Sequence, residues 1–422
     1  MRRTAALVNL GCRVNRVELD AMACDLEAAG FELVGEDEAS YIVINTCAVT
    51  GEAEAKTRKA IRHAALRPQS PVVVATGCVA SLFADELAAL APNVRVVADK
   101  RRVASAIVSD AEVNHLSIML GCQEDNGKVT PTGRTRPGVQ VQDGCDNRCT
   151  YCIIWKARGK ARSFSPDEAL SGVRAAMSRG AKEVVLTGIN LGDYRWSDGR
   201  DELRLPGLLE LLLRETEVDR LRISSIEPPD VNADLVDAMA KAGERVAPFL
   251  HMCLQSGCDR TLERMHRVYR TDLFRANVQA ARAALPHLSL GTDLIVGFPG
   301  ETDEDFEESL AFCKEMRFSR MHVFRYSRRP GTPAAEYSDQ VDPQVMAERA
   351  ARARKLAREL RHEEAARLVG TEGLVVVQYP GRGVDGGLFD VQVDPGVPVD
   401  SFIRVRHTGV RDDGTLVAEQ LG

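Results

Sequence analysis

The sequence lacks any apolar segment long enough to cross a membrane. No apolar run approaches the ~20 residues of a membrane-spanning helix. The apolar stretch near the amino-terminal end is broken at Asn9, which makes it too short for a secretory signal. We therefore expect a cytoplasmic protein that has no membrane partner.

A positive net charge is absent too, as are internal repeats and low-complexity tracts. The 55 Lys and Arg residues face 61 Asp and Glu residues, so the formal net charge is −6. This balance excludes a generic polycation, and any contact with nucleic acid therefore requires a local basic patch. The missing repeats exclude a solenoid. With 44% hydrophobic and 27% charged residues, the 422-residue chain is typical of a globular protein with two or three domains.

Cysteine is the residue type that the sequence has in unusual number. The chain contains 11 cysteines, which are odd in number and too dilute for a small disulfide-stabilised protein. In the reducing compartment that we expect, disulfides are the least favoured use. Two uses remain: ligation of a metal or an iron–sulfur cluster by some cysteines, and burial of the others as small apolar residues.

The periodicity of the apolar residues predicts a mixed α/β fold. Over 1–112, short apolar runs alternate with amphipathic stretches, which predicts a small parallel α/β domain. Residues 113–130 have no periodicity and form a predicted linker. Over 131–368, predicted strands alternate with longer helices, as in a partial (βα)6 barrel; the strands are 138–142, 183–187, 220–226, 249–254, 289–296 and 321–326. Residues 369–422 contain short β-like runs separated by Gly, Pro and Asp, which predicts a small all-β barrel.

Three cysteines lie close together directly after a predicted strand. Cys145, Cys149 and Cys152 have the spacing C-x3-C-x2-C. Such a loop can hold three thiolates around one metal centre, and thiolates are the ligands of iron–sulfur clusters. Three ligands leave one iron of a four-iron cluster open to a substrate or cofactor. Structural zinc is the alternative, but it requires four ligands, and no nearby His or Cys completes the set.

A second set of three cysteines is dispersed over residues 1–112. Cys12, Cys47 and Cys78 each stand in a polar turn that follows a predicted strand. The carboxyl ends of parallel strands share one edge of a sheet, where such folds bind ligands. We therefore expect the three thiols to converge on a second metal centre. Taken singly, each is also consistent with a small buried residue at a strand end.

The remaining cysteines are assigned to packing. They lie in predicted helices or strands, or near the linker: Cys24, Cys122, Cys253, Cys258 and Cys313. For Cys253 and Cys258, metal ligation stays an alternative because they stand at the end of a predicted barrel strand.

The two cysteine sets resemble those of a known enzyme family. The C-x3-C-x2-C motif, with Tyr151 before its last cysteine, resembles the radical S-adenosylmethionine signature. With the upstream cysteines and the β-rich end, the chain is similar to the radical S-adenosylmethionine methylthiotransferases over nearly its whole length. The resemblance implies a methylthiotransferase domain (1–112), a radical domain (131–368) and a TRAM-like barrel (369–422). It also implies S-adenosylmethionine and two [4Fe-4S] clusters, whose ligands would be Cys12, Cys47, Cys78, Cys145, Cys149 and Cys152.

Flanking residues resemble the MtaB branch of that family. The segments 10–15 and 45–50, followed by Lys56 and Arg58, carry this resemblance. It implies methylthiolation at C2 of N6-threonylcarbamoyladenosine at tRNA position 37. The implied partners are the tRNA anticodon stem-loop and an electron donor similar to flavodoxin or ferredoxin.

Alternative functions remain within and outside this family. Within it, the chain would act on isopentenyladenosine at position 37, as the MiaB branch does, or on an aspartate of a ribosomal protein, as the RimO branch does. From other classes, a non-catalytic iron–sulfur electron carrier and a zinc-stabilised RNA-binding scaffold are alternatives. Electron carriers usually close their clusters with four thiolates, so two sets of three thiols favour the enzyme.

Further polar residues follow successive predicted barrel strands. In the family, the equivalents of Tyr151, Asn190, Glu227, Gln255 and Asp293 line the S-adenosylmethionine pocket. Carboxylates and amides at strand ends can bind ribose and amino groups, whereas turn formation and helix capping are the alternative use.

The charge distribution indicates where RNA can bind. Residues 134–162 contain seven Arg or Lys against two Asp and surround the three-cysteine loop. Within this segment, Arg158 is suited to a carboxylate or phosphate, or to solvent. The carboxyl-terminal domain is acidic, so it attracts phosphate poorly. Its aromatic residues Tyr379, Phe389 and Phe402 can stack on bases where they are exposed.

Overall fold

The computed structural model describes residues 3–108 and 135–421. These residues form two compact units. The first comprises the described residues within Met1–Asn147, together with Cys152–Arg179 and Thr187–Ile189. The second comprises Arg148–Tyr151, Gly180–Leu186 and the described residues within Asn190–Gly422. The predicted linker 113–130 and Cys122 lie outside the described residues.

A parallel sheet forms the centre of the first unit. Its strands are β1 (Thr4–Asn9), β2 (Glu32–Leu33), β3 (Tyr41–Thr46), β4 (Val72–Gly77) and β5 (Val94–Val96). They are arranged in the order β2-β1-β3-β4-β5 and all pair in parallel. The connecting helices are α1 (Arg13–Ala28), α2 (Gly51–Ala65), α3 (Cys78–Leu82), α4 (Ala84–Ala88) and α5 (Val103–Ile107).

The sheet is buried on both faces because its central strands are apolar throughout. Ile42 and Ile44 of β3 point to one side and pack with Ile61 of α2. Val43, which points to the other side, packs with Leu19 of α1. Continuous apolar strands covered by helices on both faces are typical of parallel sheets. The small parallel α/β fold predicted from the sequence is confirmed.

The first unit also contains the two ends of the three-cysteine loop. Its further elements are β6 (Gly138–Gln140), β7 (Gln142–Asp143), α6 (Ile154–Arg158), β8 (Arg162–Ser163) and α7 (Pro166–Ser178). Strands β7 and β8 pair antiparallel, with Gln142 opposite Ser163 and Asp143 opposite Arg162. Helix α7 begins with a capping box, in which Ser165 and Glu168 exchange hydrogen bonds.

Parallel strands with intervening helices continue in the second unit. The next strands along the chain are β9 (Glu183–Thr187), β10 (Arg195–Ser197), β11 (Glu202–Arg204), β12 (Arg220–Ile223), β13 (Ser225–Ile226), β14 (Phe249–Met252), β15 (Ser289–Val296) and β16 (Arg320–Arg325). Strands β9 and β12 pair in parallel, and β13-β14-β15-β16 form a second parallel sheet. The helices are α8 (Leu205–Glu215), α9 (Ala233–Ala242), α10 (Asp259–Arg264), α11 (Thr271–Ala284), α12 (Asp303–Met316) and α13 (Pro343–Ala366).

A closed β-barrel follows helix α13. Its strands are β17 (Glu372–Tyr379), β18 (Arg382–Asp385), β19 (Asp390–Gln392), β20 (Phe402–Val410) and β21 (Leu416–Gln420). They close in the order β17-β18-β19-β21-β20. The predicted all-β barrel and the mixed α/β class of the chain are thus confirmed. No helix among residues 3–108 and 135–421 is long and apolar enough to cross a membrane.

Several elements differ from their predicted form. The predicted strand 220–226 is interrupted at Ser224, and its two parts, β12 and β13, belong to different sheets. The hairpin of β10 and β11 was not predicted, and neither was β18. These strands are short and contain charged residues or glycine, so their β conformation depends on the pairing partner rather than on an apolar pattern.

A buried ionic group joins strands β9 and β12 to the carboxyl-terminal β-barrel within the second unit. The carboxylate of Glu183 accepts hydrogen bonds from Arg220 Nε and Arg222 Nε, each at 2.6 Å. Arg222 also donates to the carbonyl oxygens of Asp385 and Gly386, at 3.1 and 2.8 Å. Both arginines and the glutamate are almost fully buried, so each charge depends on its partners for solvation.

Replacing Arg222 tests this ionic group. We expect Arg222→Gln to lower the free energy of unfolding by about 3 kcal/mol, because Glu183 and two carbonyl groups lose a buried partner. Chemical denaturation followed by circular dichroism measures the change. Lys355→Gln is the control, since it breaks an exposed pair with Glu359, for which we expect less than about 1 kcal/mol. Equal effects of the two substitutions would contradict the assignment.

Candidate functional site

The dispersed cysteines lie at one edge of the sheet in the first unit. Cys12 follows β1 and precedes α1, Cys47 follows β3, and Cys78 opens α3 directly after β4. Strands β1, β3 and β4 are neighbours in the sheet. The carboxyl ends of three adjacent strands therefore present one cysteine each, as the topological argument predicted.

The three thiols lie close enough to influence one another electrostatically. Burial raises the pKa of Cys47 to about 11, and the neighbouring Cys12 and Cys78 raise it as well. Cys12 is exposed, whereas Cys47 and Cys78 are buried; desolvation of its thiol nevertheless raises the pKa of Cys12, with a further contribution from Cys78. Thiols of this kind ionise when a cationic centre compensates their charge. The donor set therefore suits a thiolate-ligated metal centre.

Asparagine side chains fix the turns that carry these cysteines. Asn15 donates from Nδ2 to Asn45 Oδ1 at 3.0 Å and to the carbonyl oxygen of Thr46 at 2.9 Å. Asn45 donates in return to the carbonyl oxygen of Asn15 at 2.6 Å. The Sγ atom of Cys12 donates to Asn15 Oδ1 at 3.1 Å. The turns after β1 and β3 are thereby linked to the start of α1.

The glycine before Cys78 allows a close approach that no other residue permits. Gly77 has φ +94°, and a Cβ atom there would stand 2.4 Å from Asn45 Oδ1. The glycine therefore brings Cys78 directly beside the asparagine-linked turns. In the sequence, the signal for this role is a Gly-Cys pair at the end of a strand.

The three-cysteine loop contributes residues to both units. In the first unit, Cys145 donates its backbone N–H to the carbonyl oxygen of Gly159 at 3.2 Å, and Cys152 Sγ accepts from the backbone N–H of Ile154 at 3.4 Å. Both cysteines are half-buried. In the second unit, Cys149 is buried.

Arg267 is the central polar residue around Cys149 in the second unit. Its Nη1 donates to Cys149 Sγ at 3.0 Å and to the Tyr151 hydroxyl at 3.4 Å. Its Nη2 forms an ion pair with Glu227, and its Nε donates to the Tyr269 hydroxyl at 3.3 Å. Burial raises the pKa of Glu227 against the opposing charge of Arg267. Tyr151 and Glu227, both predicted pocket residues, thus meet at one guanidinium.

Sequence reasoning missed Arg267. It lies just after α10 and belongs to no motif that indicates a function. Only the fold brings its guanidinium to a cysteine and a carboxylate that precede it in the chain by 118 and 40 residues.

The other predicted pocket residues fall into two groups. Gln255 has φ +64°, and its backbone N–H donates to the carbonyl oxygen of Asp293 at 2.8 Å. These two residues are therefore adjacent, with Gln255 three residues after the end of β14 and Asp293 within β15. Asn190 instead donates to Asp193 Oδ2 at 2.6 Å, a contact within its own turn. For Asn190, the structure thus supplies the turn-forming contact named as the alternative.

Asp293 belongs to a histidine-rich cluster. Its Oδ1 lies 3.2 Å from His251 Nε2 and 3.7 Å from His322 Nδ1. Although burial favours the neutral acid, the hydrogen bond from His251 and the charges of both histidines hold the pKa of Asp293 below its ordinary value. Donor atoms of His251, Cys253 and Asp293 lie within 4.8 Å of one another, so metal ligation by Cys253 stays geometrically possible.

The other cysteines assigned to packing have different surroundings. Cys313 is fully buried, and burial raises its pKa to about 12. Cys258 is buried and donates to Asp305 Oδ1 at 3.3 Å. Cys24 is buried on helix α1.

Substitution of Gly77 tests the convergence of the dispersed cysteines. After anaerobic reconstitution with iron and sulfide, we expect Gly77→Ala to retain about half of the wild-type iron, because the added Cβ displaces the turn of Cys78 from the other two thiols. Gly30→Ala is the matched control, since Gly30 has φ +81° but no atom within 4 Å of the added Cβ. Equal iron contents in the two variants would contradict the assignment. Iron and sulfide analysis measures the outcome.

Two family models match separate parts of the chain. The model of the radical SAM superfamily matches residues 139–313, and that of the uncharacterized protein family UPF0004 matches residues 4–99. The first match includes the three-cysteine loop, and the second includes all three dispersed cysteines.

Among curated proteins, the chain is similar to tRNA methylthiotransferases. It is 34% identical to threonylcarbamoyladenosine tRNA methylthiotransferase MtaB of Thermotoga maritima, with 98% of this chain and 96% of the relative covered. The enzyme of the same name from Bacillus subtilis is 38% identical, with 86% and 82% covered. The tRNA-2-methylthio-N(6)-dimethylallyladenosine synthase of Corynebacterium diphtheriae is 35% identical, with 95% and 83% covered.

A solved structure extends the similarity to the fold. The radical S-adenosylmethionine methyltransferase TsrM from Kitasatospora setae superposes with a TM-score of 0.55 at 15% identity, covering 89% of this chain and 80% of that chain. The identity to the curated relatives over almost the whole chain, and the two cysteine sets within the matched regions, lead to one conclusion. The chain belongs to the radical S-adenosylmethionine tRNA methylthiotransferases, transferases that use S-adenosylmethionine and [4Fe-4S] clusters.

Proposed function

We propose that this chain methylthiolates C2 of N6-threonylcarbamoyladenosine at position 37 of tRNA. The observation that carries the proposal is the convergence of Cys12, Cys47 and Cys78 on one sheet edge, beside the asparagine-linked turns. Generation of a radical requires only the C-x3-C-x2-C loop, so a second thiol site indicates a second chemical task. The names of the Thermotoga and Bacillus relatives supply the nucleoside, and the segments 10–15 and 45–50 support the same branch.

Each cysteine set is proposed to hold one [4Fe-4S] cluster. Cys145, Cys149 and Cys152 would ligate the first, and Cys12, Cys47 and Cys78 the second. Three thiolates leave one iron of each cluster open to a further ligand. When bound, the clusters and S-adenosylmethionine would supply the electron, the 5′-deoxyadenosyl radical that takes hydrogen from C2, and the sulfur and methyl group.

The protein residues around Cys149 position the reacting groups. Arg267 holds the thiol of Cys149 and the hydroxyl of Tyr151 through one guanidinium. Glu227 is paired with Arg267, and its carboxylate also suits a ribose hydroxyl or an amino group. We propose that these residues, with Gln255 and Asp293, line the S-adenosylmethionine pocket. Asn190 would contribute through the turn that it closes with Asp193.

Three domains and an RNA partner complete the proposal. We assign 1–112 to the methylthiotransferase domain, 131–368 to the radical domain and 369–422 to a TRAM-like barrel. Lys156, Lys160 and Arg162 are exposed in the basic segment around the cysteine loop and suit phosphate contacts. In the terminal barrel, Tyr379 is 68% exposed whereas Phe389 is buried, so Tyr379 is the residue suited to stack on a base.

The remaining partners follow from the same chemistry. The anticodon stem-loop carries the modified base, and an electron donor similar to flavodoxin or ferredoxin would reduce the radical cluster. Both would be met in the cytoplasm, where we place the protein.

Nucleoside analysis of a deletion strain tests the substrate. We expect mass spectrometry of digested tRNA to show loss of 2-methylthio-N6-threonylcarbamoyladenosine and accumulation of its unmethylthiolated precursor, with recovery when the wild-type gene is returned. Unchanged levels of this nucleoside would contradict the proposal. Loss of the methylthiolated isopentenyladenosine instead would assign the chain to the dimethylallyladenosine branch, which the Corynebacterium relative represents.

Cysteine variants separate the two proposed clusters in vitro. We expect Cys149→Ala to lose 5′-deoxyadenosine formation and methylthiolation together, because the radical cluster loses a ligand. Cys47→Ala should still form 5′-deoxyadenosine but make no methylthiolated nucleoside. Chromatography with mass detection measures both products.

Cys313→Ala is the control for these variants. It removes a buried thiol that burial alone keeps protonated, and it should retain both products. Formation of methylthiolated nucleoside by Cys47→Ala at the wild-type rate would contradict the second cluster.

A further inference from the structure

Arg158 is a buried arginine that joins three segments of the first unit. Its side chain is 3% exposed. Its Nη1 lies 2.7 Å from Glu18 Oε1 and 2.9 Å from Asp143 Oδ1. Its Nη2 donates to Asn15 Oδ1 at 3.2 Å and to Glu18 Oε2 at 3.3 Å. A solvated arginine, one of the expectations from the sequence, is therefore wrong here, and the carboxylate-binding expectation is right.

These partners stand next to both cysteine sets. Asp143 belongs to β7 and precedes Cys145 by two residues, and Arg158 ends α6 six residues after Cys152. Asn15, on the first turn of α1, accepts the hydrogen bond from Cys12 Sγ. One guanidinium thus connects both sides of the three-cysteine loop to helix α1, which begins directly after Cys12 in the sequence.

Two further basic side chains pair with the acidic partners of Arg158. Lys100 Nζ lies 2.7 Å from Glu18 Oε2, and Arg162 pairs with Asp143. Although burial opposes the charged form, Glu18, Cys78 and Asp143 keep the pKa of Arg158 well above its ordinary value. Arg158 therefore stays charged.

We propose that Arg158 is a positioning residue that couples radical formation to methylthio transfer. It does so by holding the segments that carry Cys145 and Cys152 against the site of Cys12, Cys47 and Cys78. Hydrogen abstraction requires contact of about 3–3.5 Å, so a small displacement between the two sites would waste radicals. This inference rests on the proposed function.

The ratio of two products tests the coupling. The enzyme reconstituted with iron and sulfide is incubated with S-adenosylmethionine, reductant and tRNA that carries N6-threonylcarbamoyladenosine. We expect Arg158→Gln to raise the ratio of 5′-deoxyadenosine to methylthiolated nucleoside at least about tenfold, because radicals form without reaching productive geometry. Formation of 5′-deoxyadenosine itself should stay within about threefold of wild type.

Arg222→Gln is the matched control for loss of a buried arginine. Arg222 is as deeply buried, but its partners are Glu183 at the start of β9 and two carbonyl oxygens of the terminal barrel. It should lower stability and leave the product ratio unchanged. A ratio that rises equally in both variants would reduce Arg158 to a merely structural role.

The reduction potential of one cluster distinguishes the effect of the Arg158 charge from the effect of its hydrogen-bond geometry. In the background Cys145→Ala/Cys149→Ala/Cys152→Ala, only the cluster of the dispersed cysteines remains, and its reduction is followed by electron paramagnetic resonance. Loss of the positive charge in Arg158→Gln should make its reduction potential more negative. Arg158→Lys keeps the charge and should hold the potential near wild type, yet its single ammonium cannot span Asn15, Glu18 and Asp143, so the product ratio should still rise.

The outcomes distinguish the two proposals. A wild-type protein that forms no methylthiolated nucleoside overturns the proposed function. A wild-type protein that does form it, together with Arg158 variants of wild-type product ratio, overturns the positioning role alone. Should Arg158→Gln fail to fold, which thermal unfolding reveals, Arg158→Lys decides the question by the same ratio.

Discussion

Buried arginine residues hold together chain segments that are distant in sequence. A guanidinium away from water requires carboxylates or carbonyl oxygens around it, and its planar group can donate hydrogen bonds to several of them at once. Arg158 meets Glu18 and Asp143, Arg222 meets Glu183, and Arg267 meets Glu227. In each case the partners come from different elements. Loss of one guanidinium therefore releases a contact between elements rather than a single side chain.

Two of these arginines also stand beside thiols. Arg267 donates to Cys149, and Arg158 shares Asn15 with Cys12. The same side chains that stabilise the fold thus also fix the positions of the proposed ligands. Arg158 and Arg267 therefore have both a structural and a functional role. The effect of a substitution at either residue is best measured by product ratios and spectroscopy in addition to stability.

The parallel sheets supply the second organising constraint. Strands β1, β3 and β4 are neighbours, so their following turns meet at one edge. Cysteines from residues 12, 47 and 78 converge there although tens of residues separate them. Gly77 and the pair of Asn15 and Asn45 bring the turns within contact distance. A polar edge of this kind can carry chemistry while the apolar faces of the same sheet hold the core.

The sequence by itself determined the α/β class, the terminal β-barrel and the grouping of the dispersed cysteines, because apolar periodicity and strand order are local or topological properties. It did not reveal the break at Ser224, the strand β18 or the role of Arg267. Those depend on pairing and contacts between residues far apart in the chain, which no local pattern encodes. For Arg158, the sequence was equally consistent with exposure to solvent and with binding to a carboxylate or phosphate. Only the tertiary structure decided between them, because burial depends on which acidic residues the fold brings within reach.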